Sequence, residues 1–282
     1  MPELPEVETI KRGLEKCIVG KKISRVHILC EKSFRGNPKL ITGQTVEDIS
    51  RRGKAMLIRL SNNLTIMVHL RMTGQMIYDG DERFAAGHPD NSFREEMPGR
   101  FTRIYVDFDG GGALYFNDQR KFGFWSVMDD LALATDKFLN SLGPEPWVMK
   151  KEDFWAMLQR HQKSPVKAVL LDQHNIAGVG NIYADEACFG AKILPWRKCG
   201  NIDRKEADAL LDALCKVMQA SIDSGGSTMK DYVRPDGSRG NYLEKFASVF
   251  RREGCECPRC GGEILKTRTA GRGTHYCAGC QR

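Results

Sequence analysis

The sequence predicts an α+β protein with more than one domain. Three observations support this prediction: the first half of the chain holds strand-like segments, the second half shows helical periodicity, and two Cys-x2-Cys pairs stand near the C-terminus. The length of 282 residues is enough for about two domains that each bury a core of their own.

Composition and charge exclude several protein classes. Hydrophobic residues make up 41% of the chain and charged residues 28%, and no apolar run approaches the roughly 18 residues of a membrane span, so we expect no membrane association. The first eight residues contain three glutamates, unlike a secretory signal, and we expect a cytoplasmic protein. The net charge is +7, and residues 226–282 hold 11 Lys or Arg against 6 Asp or Glu. A polyanion is therefore expected to bind near the C-terminal end.

A helix is predicted from Glu3 to Gly20. Its apolar residues recur at spacings of three and four, at Val7, Ile10, Leu14 and Ile18. Such a stripe indicates a helix that lies on a core, and a glycine is a typical stop.

Antiparallel hairpins are predicted between this helix and Trp125. The strand-like segments are KISRVHIL, TVEDISRRG, AMLIRL, LTIMVHLRM, RIYVDF and ALYF. Short polar or glycine-rich stretches at 61–63 and 109–112 separate two pairs of these segments, as turns do in hairpins. We expect a long loop or a weak strand at 80–99, and no strand after Trp125.

The second half is predicted to be helical. Residues 166–172 and 184–190 have helix-like character and flank the segment Gly-Val-Gly-Asn at 178–181. Free backbone N–H groups at such a helix start can hold a phosphate, although an ordinary helical hairpin uses the same residue types. Farther on, Asp203 and Glu206 are spaced as in a capping box, which predicts a helix that a pair of glycines ends.

The last 28 residues contain five cysteines, and four of them form the pattern C-x2-C-x16-C-x2-C. These four are Cys257, Cys260, Cys277 and Cys280. Each pair can offer two thiolates to one tetrahedral Zn(II), so the sequence predicts one structural zinc per chain. Cys255 is an alternative to Cys257 as a ligand but lacks a partner at matching spacing.

Between the two cysteine pairs, Arg272 is flanked by glycines. This arginine could contact a phosphate or be an ordinary surface arginine.

The N-terminus offers a nucleophile. Once the initiator methionine is removed, Pro2 is a free secondary amine beside the carboxyl group of Glu3. An α-amine with a pKa near 8 is about 10–30% unprotonated at neutral pH, whereas an ordinary lysine is about 0.1% or less. A secondary amine that condenses with a sugar carbon gives an iminium that keeps its positive charge. The alternative is that Pro2 merely starts a helix, as proline often does.

Seven short motifs of this chain occur in the order typical of one enzyme family. They are MPELPEVE at 1–8, RRGK at 51–54, HLRMTG at 69–74, DQRKFG at 118–123, GVGNIYADE at 178–186, GGSTMK at 225–230 and the four-cysteine pattern. Over essentially its whole length the sequence resembles the bacterial formamidopyrimidine-DNA glycosylases.

The resemblance implies an N-terminal β-sandwich bearing the first helix, a C-terminal helix-two-turns-helix domain and a β-hairpin zinc finger, with DNA in the cleft between them. The expected domains are the catalytic sandwich at 1–130, the helical domain at 134–225, a lesion-capping loop at 226–245 and the finger at 246–282. The implied activity is excision of oxidised purines, chiefly 8-oxoguanine and formamidopyrimidines, followed by β,δ-elimination at the abasic site. We expect a monomer that acts on double-stranded DNA and is associated with the nucleoid through that binding.

The resemblance also implies roles for individual residues. Pro2 would be the nucleophile and Glu3 the acid/base, while Lys54 and Arg272 would assist elimination and contact phosphate. The trio that fills the gap left by an extruded base would be Met72, Arg120 and Phe122, although without the family Met72 and Phe122 would be interpreted as core residues. The further DNA contacts would be His69, Lys163, Asn181, Lys230 and Tyr242, with Lys230 in the capping loop.

Two other functions remain open at this point. One is an endonuclease VIII-like glycosylase for oxidised pyrimidines, which the opening motif PELPE and the wedge trio argue against. The other is a DNA-binding zinc-finger protein without catalysis, which would have no need for Pro2 and Glu3. The chain also departs from its relatives in having Phe101 at a place where many have a histidine contact, and Phe250 in place of the usual tyrosine; Arg100 or Arg103 could replace the histidine.

Overall fold

The protein is described here by a computed structural model that covers residues 2–88, 95–226 and 247–282. The chain forms two compact units. One contains the described residues of Met1–Asn140 and Ser224–Asn241, and the other contains those of Ser141–Asp223 and Tyr242–Arg282.

The first helix, α1, spans Leu4–Ile18 and confirms the predicted stripe. Its buried apolar residues are Leu4, Val7, Ile10, Leu14 and Ile18. Glu3 is the N-cap residue and forms a capping box with Glu6, whose carboxylate accepts the Glu3 backbone N–H at 2.8 Å. The helix start is therefore fixed at the third residue of the chain.

The first unit contains two five-stranded sheets. The strands are β1 (Ile23–Ile28), β2 (Phe34–Arg35), β3 (Val46–Arg52), β4 (Ala55–Leu60), β5 (Thr65–His69), β6 (Gly74–Asp79), β7 (Phe84–Gly87), β8 (Thr102–Phe108), β9 (Ala113–Asp118) and β10 (Phe124–Met128). One sheet has the order β1-β8-β9-β6-β7 and the other β2-β10-β5-β4-β3. Neighbouring strands run antiparallel, except that β2 is parallel to β10.

The two sheets and α1 share one hydrophobic core. It includes Val7, Ile10 and Leu14 from the helix, Ile58, Val68 and Trp125 from one sheet, and Met76, Val106 and Phe116 from the other. The helix packs against β3 and β7, which are edge strands of different sheets. The unit is thus a β-sandwich with a helix covering one edge of each sheet.

The strand predictions are confirmed where the pattern is regular. All six predicted segments are strands, and the stretches at 61–63 and 109–112 connect antiparallel neighbours. The prediction that strands end after Trp125 is wrong, because β10 continues to Met128. Sequence analysis also missed β6, which is buried at every position except its last and so shows no alternation. Within 80–99 there is a short strand, β7, and residues 89–94 lie outside the described residues.

The second half is helical, as predicted. Two short helices, α2 (Asp130–Ala134) and α3 (Lys137–Ser141), follow the sandwich, and the second unit contains α4 (Lys151–Arg160), α5 (Val166–Leu171), α6 (Asn181–Gly190) and α7 (Arg204–Asp223). The predicted capping box is present at the start of α7, where the Asp203 N–H donates to Glu206 at 2.9 Å and the Glu206 N–H donates to Asp203 at 2.8 Å. Asn181 is the first residue of α6, as expected.

The chain ends in a two-stranded hairpin of β11 (Ile264–Thr269) and β12 (Arg272–Cys277). Ala270 and Gly271 form its turn, both with positive φ (50° and 71°), as a two-residue hairpin requires. The hairpin buries few apolar residues, which cluster with Phe189 of α6 and Val249. Within the described part of the chain no helix has the length and apolar character needed to cross a membrane.

We expect Gly13→Ala to destabilise the first unit. A Cβ at this position of α1 would lie 2.1 Å from the ring of Phe84, which is 5% exposed in β7. Overpacking of about 1–3 kcal/mol should exceed the roughly 1 kcal/mol of helix propensity that alanine gains. Thermal denaturation should show a lower Tm for this variant, while Lys16→Ala on the exposed face of the same helix should stay near wild type. A Tm equal to or above that of the wild type would contradict the close packing.

Candidate functional site

The first candidate region is the start of α1. Pro2 and Glu3 are both buried, with Glu3 only 3% exposed. The capping box holds the Glu3 backbone, and the next residue, Leu4, is fully buried in the protein interior. Residue 2 is therefore buried directly before a capped helix whose first turn lies in the protein interior.

An ion pair fastens α1 to the end of β3. Arg51 Nε donates to Glu8 at 2.8 Å, and Arg12 donates to the same carboxylate at 2.8 Å. Burial would raise the pKa of Glu8, but the hydrogen bonds from Arg51 and Arg12 outweigh it and hold that pKa below its ordinary value. Three residues beyond Arg51 stands Lys54, which is 8% exposed. Gly53 and Lys54 form the two-residue turn between β3 and β4, and the glycine has a φ of 56°.

His69 ends β5, opposite Ala55 of β4. Burial and the nearby cations Arg71 and Lys54 lower the pKa of His69 to about 3, so the ring is neutral at physiological pH. Its Nδ1 accepts the Arg71 backbone N–H at 3.1 Å, which leaves the proton on Nε2. His69 and Lys54, which the family resemblance implied as site residues, are thus neighbours.

Two adjacent loops carry the expected wedge residues. Met72 is half-buried, whereas Phe122 is 54% exposed and Arg120 is exposed. The Arg120 guanidinium lies 4.7 Å from the centre of the Phe122 ring. The interpretation of these residues as core is therefore wrong for Phe122. The Phe122 ring is accessible from the surface, as the ring of a core residue would not be.

In the second unit, Arg272 is exposed at the tip of the hairpin. The next carbonyl, that of Gly273, accepts a hydrogen bond from Asn181 Nδ2 at 3.0 Å and another from Lys167 Nζ at 3.0 Å. The two expected phosphate contacts, Arg272 and Asn181, are thus adjacent. Lys163 is exposed just before α5. Lys230 and Tyr242 lie outside the described residues.

A buried ionic network docks the hairpin onto the helices. Lys167 of α5 and Asp185 of α6 are both 0% exposed, and their charged atoms are 2.6 Å apart. Lys167 also donates to the Thr274 hydroxyl at 2.8 Å, while Asp185 accepts the His275 backbone N–H at 2.9 Å. The periodicity of both segments predicts only helices and does not reveal this network. The available signal is Lys167 in an otherwise apolar helix and the acidic pair Asp185 and Glu186 in the next one.

The four predicted cysteines form the metal site. Their Sγ atoms all lie within 4.8 Å of one another, with 3.7 Å between Cys257 and Cys280 and 3.5 Å between Cys260 and Cys277. Tetrahedral thiolates at the Zn–S distance of about 2.3 Å are separated by about 3.8 Å, so the set fits one zinc ion with no ligand position left open. Cys255 is exposed and is not part of the set.

Three family profiles match the chain. They are the formamidopyrimidine-DNA glycosylase N-terminal domain at residues 1–125, the formamidopyrimidine-DNA glycosylase H2TH domain at 142–233, and the zinc finger found in FPG and IleRS at 255–282.

The chain belongs to the formamidopyrimidine-DNA glycosylase family.

Individual members of the family match the chain over its full length. The formamidopyrimidine-DNA glycosylase of Pelotomaculum thermopropionicum is 39% identical over 100% of this chain and 99% of its own. A crystal structure of Lactococcus lactis Fpg with a Fapy-dG containing DNA has a TM-score of 0.85 at 32% identity, covering 99% of this chain and 100% of that one. Another, with an abasic site containing DNA, has a TM-score of 0.85 at 32% identity and covers 99% of both chains. Membership in this family confirms the resemblance, the fold class and the structural zinc.

We expect Cys277→Ser to lose zinc. A serine hydroxyl is a poor replacement for a thiolate, and the hairpin has too small an apolar core to fold without the metal. Elemental analysis should show zinc falling from about one ion per chain to nearly none, and limited proteolysis should cut within 255–282. The first unit, whose core is separate, should remain folded.

Cys255→Ser is the matched control, because it removes a thiol from the same segment without touching the cluster. It should keep its zinc. Zinc retained in Cys277→Ser, or lost in Cys255→Ser, would show that the ligand set is different.

Proposed function

We propose that this protein is a bifunctional DNA glycosylase and abasic-site lyase of base excision repair. Its substrates are oxidised purines, chiefly 8-oxoguanine and formamidopyrimidines, in double-stranded DNA. The observation that supports this most strongly is the buried pair Pro2 and Glu3 at the capped start of α1 in a member of this family. The Lactococcus structures with Fapy-dG and with an abasic site support both activities.

The reaction begins with Pro2 after removal of Met1. The secondary amine attacks C1′ of the damaged nucleotide, the bond from C1′ to the base breaks, and the base departs with the proton that the amine loses. The C1′–O4′ bond then opens, O4′ takes a proton from the Glu3 carboxyl group, and an iminium joins C1′ to Pro2. Because a proline iminium has no N–H to lose, it keeps its charge and acidifies C2′.

Elimination then breaks the DNA strand. In the β-step C2′ loses a proton to solvent and the C3′–O3′ bond breaks, so the 3′ phosphate leaves. In the δ-step C4′ loses a proton to solvent and the C5′–O5′ bond breaks, so the 5′ phosphate leaves. Lys54, held in the turn after β3, donates a proton in the first and contacts phosphate, while Arg272 grips phosphate and assists the second. Both side chains are cations, which stabilise the phosphate charge that leaves.

The remaining site residues bind DNA. Asn181, Lys163, His69, Lys230 and Tyr242 contact the backbone or the capped lesion. The expected wedge is Met72, Arg120 and Phe122: apolar and aromatic groups replace the stacking of the extruded base, and Arg120 pairs with the base left behind. The exposed ring of Phe122 and the arginine over it support this role.

The zinc ion is structural in this account and shapes the hairpin that presents Arg272. The domain division at 1–130, 134–225, 226–245 and 246–282 is part of the proposal, as are a monomeric state and a cytoplasmic, nucleoid-associated location. An endonuclease VIII-like specificity is disfavoured by the intact wedge trio, and a non-catalytic binder by the buried Pro2 and Glu3.

We expect Glu3→Gln to separate the two activities. The proton supplied by Glu3 is needed most when the sugar ring opens and the base departs. The single-turnover rate constant for excision of 8-oxoguanine should fall by about 100-fold or more, which is the contribution that one general acid typically makes to a rate. The variant should still cleave a preformed abasic site at a measurable rate.

Glu15→Gln on the same helix is the control and should keep both rates, because its pair with Lys11 is a surface ion pair of little energy. Equal losses on both substrates would show that Glu3 is a structural element of the pocket. Full activity on 8-oxoguanine would remove its proposed role.

A further inference from the structure

One buried carboxylate organises the loop that carries Arg120 and Phe122. Asp118, the last residue of β9, is 0% exposed. Its Oδ2 accepts the backbone N–H groups of Phe122 at 2.7 Å and Gly123 at 2.6 Å, and its Oδ1 accepts that of Arg120 at 3.1 Å. Three of the five amides that follow Asp118 thus point at a single side chain.

The same carboxylate reaches the second loop through Thr73. The Thr73 hydroxyl donates to Asp118 Oδ1 and accepts the Arg120 backbone N–H at 3.0 Å. Thr73 is 8% exposed and directly follows Met72. Strand register explains the meeting, because Gly74 at the start of β6 pairs with Asp118 of β9. The loop of Met72 and the loop of Arg120 and Phe122 therefore share one hydrogen-bond network.

The surroundings allow Asp118 little freedom. Arg103 Nε donates to its backbone carbonyl at 2.7 Å. A Cβ on Gly123 would lie 2.6 Å from the Phe116 ring and 3.2 Å from Asp118 Oδ2, so only glycine lets the loop return this close. Within the loop, Lys121 adopts a φ of 57°, a conformation that a non-glycine residue keeps only when its neighbours hold it.

We propose that Asp118, together with Thr73, is a positioning residue that holds Met72, Arg120 and Phe122 as one preformed wedge before DNA binds. The inference rests on the proposed function of these three residues. Two exposed loops that had to be ordered at the moment of base extrusion would lose backbone entropy there. A network already closed in the free protein removes that cost and fixes the spacing of the three side chains.

Two readouts test the proposal on the full-length protein. The first is hydrogen exchange of the free protein, measured on peptides that contain 71–74 and 119–123. The second is single-turnover excision of 8-oxoguanine from duplex DNA, compared with cleavage of an abasic site in single-stranded DNA, where no partner base is left to be stabilised. The variants are Asp118→Asn, Thr73→Val and Thr73→Ser.

Asp118→Asn should accelerate exchange in both peptides, because an amide nitrogen cannot accept these N–H groups. It should slow duplex excision at least tenfold and leave single-strand cleavage within about twofold. Thr73→Val should act in the same direction, and Thr73→Ser, which keeps the hydroxyl, should behave like wild type. The double variant Asp118→Asn with Thr73→Val should be no slower than the worse single variant, since both break one network.

Asp129→Asn is the matched control. Asp129 also accepts a backbone N–H, from Ala132 at 2.7 Å, but it caps α2. The control should change neither the hydrogen exchange of the two loops nor the excision rate.

Unchanged hydrogen exchange in Asp118→Asn and Thr73→Val would overturn the proposal. Equal losses of rate on duplex and on single-stranded DNA would overturn it as well. If Asp118→Asn fails to fold, the comparison of valine with serine at position 73 decides the question. A wild type that excises no base would instead refute the proposed function, while hydrogen exchange would still test the positioning.

Discussion

The packing of α1 on the sandwich is the constraint on which the proposed chemistry depends. The helix places its whole apolar stripe in the core that both sheets share, and it lies against an edge strand of each sheet. Its first residues are therefore buried, although chain ends are usually exposed and mobile. A terminal amine is a useful nucleophile only if its position is defined, and here the core, the capping box and the pair of Glu8 with Arg51 define it.

In the second unit, a metal site and a buried ion pair hold the hairpin that carries Arg272 in place. The hairpin that carries Arg272 has a very small apolar core, so its shape depends on the four-thiolate zinc site. Its attachment depends on the buried pair of Lys167 and Asp185, which also bonds to Thr274 and His275. Removing one member of such a pair costs about 3–5 kcal/mol, because the other charge is left buried without compensation. The pair thus holds residues 273–275 of β12, directly after Arg272, against α5 and α6.

Sequence periodicity predicted the regular helices and strands of this fold. It failed for strands that are buried on both faces and for contacts between residues that are far apart in the sequence. The α1 stripe and the capping box at Asp203 were predicted because each is encoded within a few neighbouring residues. Strand β6 was missed because it is buried on both faces, so no alternation marks it. The zinc ligands were predicted from spacing alone. The link of Thr73 to Asp118 joins residues 45 positions apart, and no local pattern reveals it.

A covalent trap tests whether the nitrogen of residue 2 attacks the sugar. Protein from which Met1 has been removed is mixed with abasic DNA and reduced with borohydride, and the adduct is digested and sequenced by mass spectrometry. We expect a DNA remnant on Pro2 and no adduct when Met1 is retained, because the proline nitrogen is then an amide. A remnant on Lys54, or an adduct formed with Met1 still attached, would contradict it.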